Sequence, residues 1–311
     1  MKIVFFGSPQ AALPSLAGLL AASHRLELVI TQPDRPAGRG QALTACPVKR
    51  FALEKKLPVL QPEKIRRAPE VETRLAALQP DIQVVVAYGQ IIPGHIIYLP
   101  PHRTLNVHFS LLPKFRGASP VAWSILRGET RTGVTIIELN EKMDEGDILA
   151  QTETDIGPEE NARELEGRLA VLGAGLLIDT LDRLAHVVRR PQDHSLASYA
   201  PKLKKEDGRL DWNFAAQEIS RRVRAFAPWP SVFCRLQGRQ VKILEGRLST
   251  GPSQSAQLPG TISDITREGI IVRCGQGSYL ITRLQLENRN PLPAYEFSLG
   301  ARLHPGHRFD L

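Results

Sequence analysis

The sequence predicts an α/β chain of two domains: a mostly parallel sheet wrapped by helices, then a small antiparallel β-barrel. Three observations carry this. At 311 residues the chain exceeds one ordinary domain and suits two. Its first part alternates apolar strand-like runs with helical patterns, as parallel βαβ units do. After Pro230 it turns to short strands separated by Gly-rich turns, a pattern that closes as an antiparallel barrel.

Residues 2–6 (Lys-Ile-Val-Phe-Phe) form a first strand, and the Ala/Leu-rich residues 10–22 a helix. A second strand is expected at 26–31, a helix at 47–56, a short strand at 57–60 and a helix at 69–78. Residues 81–87, Asp-Ile-Gln-Val-Val-Val-Ala, are nearly continuously apolar, as a strand buried on both faces must be. Strand 104–109 and helix 120–127 follow, then a pair of strands at 132–139 and 148–154. Leu165, Leu169, Leu172, Leu176, Leu177, Leu181 and Leu184 recur at helical spacing, so a helix over 161–185 closes a first domain spanning 1–188. Residues 189–212 are polar and basic, with Pro191, Pro201 and the run Lys202-Leu203-Lys204-Lys205, a linker signature. The second domain, 213–311, opens with a short helix at 213–226. Strands follow at 232–236, 240–248, 260–264, 269–273 and 279–286.

An apolar fraction of 42% and a charged fraction of 23% are those of a globular, water-soluble protein. The apolar run at the N-terminus is too short for a signal peptide and reads as a strand. No run approaches the roughly 20 apolar residues of a membrane span. Cys46, Cys234 and Cys274 are odd in number and widely spaced, so neither a disulfide framework nor a metal pattern is expected. A reducing, cytoplasmic setting follows. The net charge of +8 is uneven: residues 201–311 carry 17 Lys and Arg against 10 Asp and Glu, residues 1–200 carry 23 against 22. A basic C-terminal third suits contact with a polyanion, although mild basicity alone is common among soluble proteins.

Three stretches carry chemistry. In Asn106-Val107-His108, the amide and the imidazole sit two apart on a strand and so share one face. The loop Ser110-Leu111-Leu112-Pro113-Lys114-Phe115-Arg116-Gly117 follows, where ligands of open parallel sheets bind. Such a pair can hydrogen-bond one small polar group; taken alone, it is also what a structural contact or a loop-capping histidine gives. Met143-Asp144-Glu145-Gly146-Asp147 lies in a turn from which a carboxylate could approach His108, and acidic turns are also common for backbone reasons. Gln32 to Gly40 sets Arg35 and Arg39 in a Pro/Gly-rich loop, either a phosphate-contacting loop or an ordinary exposed one. The turn after the first strand, Gly7-Ser8-Pro9-Gln10, lacks the dinucleotide-binding glycines. No phosphate-binding P-loop, no metal-ligand spacing and no serine elbow occurs. Direct transfer between two bound substrates is the simplest chemistry left.

Together these stretches resemble the methionyl-tRNA formyltransferase family over nearly the whole chain. Asn106-x-His108 with Ser110-Leu111-Leu112-Pro113, and Met143-Asp144-x-Gly146-Asp147, are similar to the signature of 10-formyltetrahydrofolate-dependent formyltransferases. The loop Gln32 to Gly40 resembles the tRNA-contacting insertion of the methionyl-tRNA branch, as do Tyr199-Ala200-Pro201-Lys202, Trp229-Pro230 and Pro305-Gly306-x-Arg308-Phe309. Phe115 stands where the family often has tyrosine, and Gln41-Ala42 where many members carry lysines. The resemblance implies a Rossmann-like N-terminal domain and an OB-like barrel. It implies 10-formyltetrahydrofolate as donor, with no metal, and initiator methionyl-tRNA as acceptor.

Asn106 and His108 would then donate to the formyl oxygen, and Asp144 would support the charged imidazole and pass on the amine proton. Ser110, Leu111, Leu112 and Pro113 would hold the folate, and Arg35 and Arg39 the tRNA. A monomer is expected, with no membrane contact. Other folate-dependent formyltransferases or a formyl-folate hydrolase would share Asn106, His108 and Asp144 without needing the arginine loop or the basic barrel. A catalytically inactive RNA-binding protein would need none of the three.

Overall fold

The computed structural model describes residues 1–37, 42–250 and 258–310. In chain order the N-terminal elements are β1 (Lys2–Gly7), α1 (Leu13–Ala21), β2 (Arg25–Ile30), β3 (Arg35–Ala37), β4 (Ala42–Thr44), α2 (Pro47–Glu54) and β5 (Val59–Leu60). Then come α3 (Pro69–Leu78), β6 (Ile82–Val86), α4 (Gly94–Ile97), β7 (Thr104–His108), α5 (Pro120–Arg127), β8 (Arg131–Glu138), β9 (Ile148–Asp155) and α6 (Ala162–Asp182). The C-terminal elements are α7 (Ala216–Ala225), β10 (Val232–Leu236), β11 (Arg239–Leu248), β12 (Ile262–Thr266), β13 (Gly269–Arg273), β14 (Ser278–Leu286), β15 (Leu292–Pro293), α8 (Ala294–Gly300) and β16 (Phe309–Asp310).

Two compact units emerge. One comprises residues 1–120, 131–155 and 166–201, the other residues 121–130, 156–165 and 202–311. In the first, seven strands order as β5-β2-β1-β6-β7-β8-β9. β5 through β7 are parallel, and β8 and β9 add antiparallel at one edge. β6 is buried at all five positions, which is why its sequence shows no alternation. Val4, Phe6, Leu28, Ile30 and Val85 on the sheet pack with Val71 and Leu75 of α3. Helix starts follow local chemistry: proline stands in the first turn of α1, α2 and α3, where its missing N–H is no loss. Glu70 and Glu72 face the positive end of α3, and Gln79 ends it in the left-handed region at φ 46°.

The predicted loop 32–40 is partly regular. β3 and β4 pair antiparallel, Arg35 opposite Thr44 and Ala37 opposite Ala42. Two strands of three residues each are too short to show a periodicity, so the ribbon was invisible in the sequence. Residues 38–41, with Arg39, lie outside the described residues.

In the second unit, β12-β13-β14-β11-β10-β16 form an antiparallel sheet with β15 added beside β14. Its ends meet: Ile262 N donates to His307 O at 2.7 Å and Phe309 N to Gly260 O at 2.9 Å, so the sheet closes into a barrel. β10 alternates Val232, Cys234 and Leu236 inward with Phe233 and Arg235 outward. Trp212 is buried against Phe309, ring centroids 5.6 Å apart. Ile156 N donates to Thr130 O at 2.8 Å and Arg224 Nη1 to Glu160 O at 3.1 Å, fastening 121–130 and 156–165 within this unit. The short helix α8 had no counterpart among the sequence expectations. Among the described residues no helix is long and apolar enough to cross a membrane.

Candidate active site

β7 is an interior strand, with Asn106 paired to Val85 on β6 and to Ile137 on β8. The strand pleat sends Asn106 and His108 to one face. Asn106 is partly exposed, and its carboxamide takes no partner among the described residues. His108 is buried, and its Nε2 lies 2.9 Å from Phe115 O. A carbonyl only accepts, so Nε2 carries the proton and the ring orientation is set. The other nitrogen, Nδ1, faces Asp144 Oδ2 at 3.8 Å.

Asp144 is carried to His108 by the turn between β8 and β9. It holds the left-handed conformation, φ 54°, which costs a non-glycine residue and needs support from its surroundings. Its Oδ2 accepts the Gly117 amide at 2.8 Å. Two glycines make the approach possible. A Cβ on Gly146 would lie 1.7 Å from Glu138 O, and one on Gly117 would lie 2.7 Å from Ala200 O, where φ is already 119°.

The loop 110–117 is built from inside. Ser110 is fully buried and its hydroxyl donates to Lys114 O at 2.6 Å. Thr135 Oγ1 donates to Ser110 O at 2.7 Å and accepts Leu112 N at 3.1 Å, while Gln151 Nε2 donates to Leu112 O at 2.8 Å. Leu112 packs with Ile137 and Ile148. Of the four residues expected at the folate, Leu111 and Pro113 are partly exposed and Ser110 and Leu112 are buried.

Residues 190–200, linker-like by composition, lie along this loop. Arg190 exchanges both backbone hydrogen bonds with Ile148, at 2.8 and 2.9 Å. Arg116 N donates to Ser198 O at 2.8 Å, Ala200 N to Arg116 O at 2.7 Å, and Phe115 N to Ser198 Oγ at 2.9 Å. The Arg116 side chain is 1% exposed and lies within 3.3 Å of Glu145 Oε1. Arg116, Gln192 and Thr135 carry this scaffold, and sequence reasoning assigned them no role. Arg116 did sit inside the informative stretch, but nothing in a loop rich in turn residues marks one arginine as buried.

Arg35, on β3, is ion-paired at 3.4 Å with an exposed Glu63, and no bond joins it to the cluster among the described residues. The base of that ribbon is polar and tightly tied. Lys49 Nζ meets Asp34 Oδ2 at 2.7 Å and Gln61 Nε2 donates to Asp34 Oδ1 at 2.9 Å, and both hold the Asp34 carboxyl below its ordinary range. Tyr88, at the end of β6, packs edge-on to Phe6 with centroids 5.5 Å apart, and burial pushes its phenol up. Among the described residues no group of three His, Cys, Asp or Glu could hold a metal.

The arrangement offers a neutral donor, an imidazole with one committed and one open nitrogen, and a carboxylate, without a nucleophile of its own. Comparisons with known proteins identify the family. Residues 1–181 match the family model "Formyl transferase" and residues 202–302 match "Formyl transferase, C-terminal domain". A methionyl-tRNA formyltransferase of Geobacter metallireducens is 45% identical over 310 residues, covering 99% of this chain and 98% of that one. One from Solibacter usitatus is 46% identical over 305 residues, covering 97% and 96%. An N-formyltransferase from Helicobacter canadensis, solved with folinic acid and dTDP-3-aminofucose, superposes with a TM-score of 0.65 at 18% identity, covering 90% of this chain and 98% of that one. The last likeness speaks to the fold alone; the two full-length relatives and the two family models show that this chain belongs to the methionyl-tRNA formyltransferase family.

Proposed function

We propose that this enzyme moves the formyl group of 10-formyltetrahydrofolate onto the α-amino group of methionyl initiator tRNA, using Asn106, His108 and Asp144. The observation that carries the residue assignment is their convergence: Asn106 and His108 on one face of β7, with Asp144 3.8 Å from His108 Nδ1. The amine lone pair attacks the formyl carbon, and the carbonyl electron pair moves to oxygen. The bond to folate N10 then breaks, N10 takes a proton and the amine gives one up. Asn106 donates to the developing oxyanion. His108 keeps Nε2–H on Phe115 O, so Nδ1 is the nitrogen that, when protonated, donates to the same oxyanion. Asp144 compensates the ring's charge when Nδ1 is protonated and passes the amine proton to water.

Leu111 and Pro113 form the apolar wall against which the flat pterin rests, while Ser110 and Leu112 shape that wall from behind. Arg35 and Arg39 meet the acceptor end of the tRNA, and the basic C-terminal region supplies the broader polyanion contact. Residues 1–188 are the catalytic domain and 213–311 the tRNA-binding domain, with 189–212 between them; residues 190–200 of that segment pack on the catalytic loop 110–117 and β9. The enzyme works as a cytoplasmic monomer.

The test is incubation with 10-formyltetrahydrofolate and charged initiator tRNA, with charged elongator methionine tRNA as control. Formylation of the initiator alone is expected. Release of formate with no acceptor present, at the rate seen with tRNA, would mark a hydrolase instead.

A further inference from the structure

Gln192 lies in the linker-like segment, 48 residues from Asp144 and 76 from Arg116, yet it is 6% exposed and bonded to both. Its Nε2 donates to Asp144 O at 2.8 Å and to Gly146 O at 2.7 Å. Its Oε1 accepts Arg116 Nε at 3.1 Å and Nη2 at 2.8 Å. All four hydrogen bonds use one amide. Two carbonyls on one side and a guanidinium on the other admit a single orientation of it. Only a carboxamide offers two donors and a doubly accepting oxygen in one plane, and asparagine, one methylene shorter, would not span both partners from the same backbone position. Arg116 is itself held by Glu145 Oε1 at 3.3 Å, a residue of the same turn, and by Nη2 against His194 Nδ1 at 3.2 Å. The next amide along, Gly117 N, is the one bonded to the Asp144 carboxylate. Thus the turn is gripped at its backbone by Gln192, at Glu145 by Arg116, and at its carboxylate by Gly117.

Resting on the assignment of Asp144 above, we propose that Gln192 is a positioning residue for formyl transfer: it ties the turn of Asp144 and Gly146 to buried Arg116 and so sets the carboxylate at His108. An Asp144 held at φ 54° relaxes when its carbonyl loses that bond, and the carboxylate moves with the backbone. An acceptor kept at position 192 leaves Arg116, and with it the loop 110–117 that carries Leu111 and Pro113, tied as before, so loss of the two donors to the turn falls on the chemical step.

The test is Gln192→Glu, which keeps the acceptor for Arg116 and removes both donors to the turn, assayed with both substrates alone and with Asp144→Asn. A kcat lower by about 10- to 100-fold is expected, with both KM values within about twofold, because misplacement by an ångström acts on the transition state. In the Asp144→Asn background the same change is expected to cost less than about twofold more, since both act through one group. Full kcat in folded Gln192→Glu beside a crippled Asp144→Asn, or losses that multiply, overturns the positioning role alone. Full kcat in Asp144→Asn removes the Asp144 assignment and the proposal with it. If thermal melting shows Gln192→Glu unfolded, Gln192→Met, neutral and of similar length, is held to the same criteria.

Discussion

His108 Nδ1 stands 3.8 Å from Asp144 Oδ2, and that oxygen also accepts the Gly117 amide at 2.8 Å. The carboxylate is therefore held by backbone from one side and looks onto the imidazole from the other. His108 is constrained in turn by Phe115 O at 2.9 Å. Neither group can turn without breaking a bond to the loop 110–117. Preorganisation of this kind is what lets a donor act on a developing charge without first reorienting.

Asn106→Ala and His108→Ala each lower kcat by about two to three orders of magnitude, the typical cost of one oxyanion donor. Single-turnover formylation at saturating substrates measures this directly. A variant keeping near-full kcat removes that residue from the role.

Thr135→Val matches the shape of a fully buried hydroxyl but strands Leu112 N and Ser110 O. Unfolding in urea should report a loss of about 1–3 kcal/mol, the cost of buried groups left unpaired. The KM for folate rises with it, because the loop that carries Leu111 and Pro113 loosens. An unchanged midpoint and unchanged KM would contradict the internal scaffold described for that loop.

Gly146→Ala forces a Cβ to within 1.7 Å of Glu138 O, so the turn of Asp144 must shift. Overpacking of this kind costs about 1–3 kcal/mol, and kcat should fall in parallel. Denaturant midpoints and initial rates on one preparation decide it; wild-type values in both would show that the turn can give way freely.

Arg35→Ala leaves stability within about 0.5 kcal/mol, since its partner Glu63 is exposed and such pairs contribute little. It raises the KM for tRNA but not for folate, and Arg39→Ala does the same. Raising salt from about 50 to 200 mM weakens tRNA use in the wild type and narrows the gap to either variant. Equal tRNA KM values across the three proteins at low salt would dismiss the arginine contact.

Burial pushes the thiols of Cys234 and Cys274 from about 9 to about 12. Both remain protonated in the folded state at pH 8, so a thiol reagent should label only partly exposed Cys46, and all three cysteines after unfolding. For a group whose folded value is raised, stability is full below the unfolded value. It is lost as pH climbs from about 9 toward 12, because the unfolded thiols then ionise first. Prompt labelling of three thiols in native protein would speak against the closed barrel core.

Asn106 and His108 were legible because strand periodicity is local: two residues apart means one face, whatever the rest of the chain does. Asp144 was legible as a carboxylate in a Gly-containing turn, although the distance that makes it useful was not. The β3–β4 ribbon was missed because both strands are only three residues long, too short for an alternation to show. Residues 190–200 read as a linker because they are polar and basic. Their backbone groups are in fact spent on Ile148, Pro113 and Arg116, and a segment that only bridges other segments through hydrogen bonds leaves no apolar pattern behind.

The sequence by itself determined the alternating strands and helices, the barrel strands after Pro230, the shared face of Asn106 and His108, and the charge bias toward the C-terminal third. These depend on near neighbours and on composition, and both are written along the chain. Only the tertiary structure decided that Asp144 reaches His108, that Arg116 is buried, and that Gln192 joins them across 48 and 76 residues. Such contacts are chosen by which polar groups are left without water once the apolar core has closed, and that is settled only when the whole unit has folded.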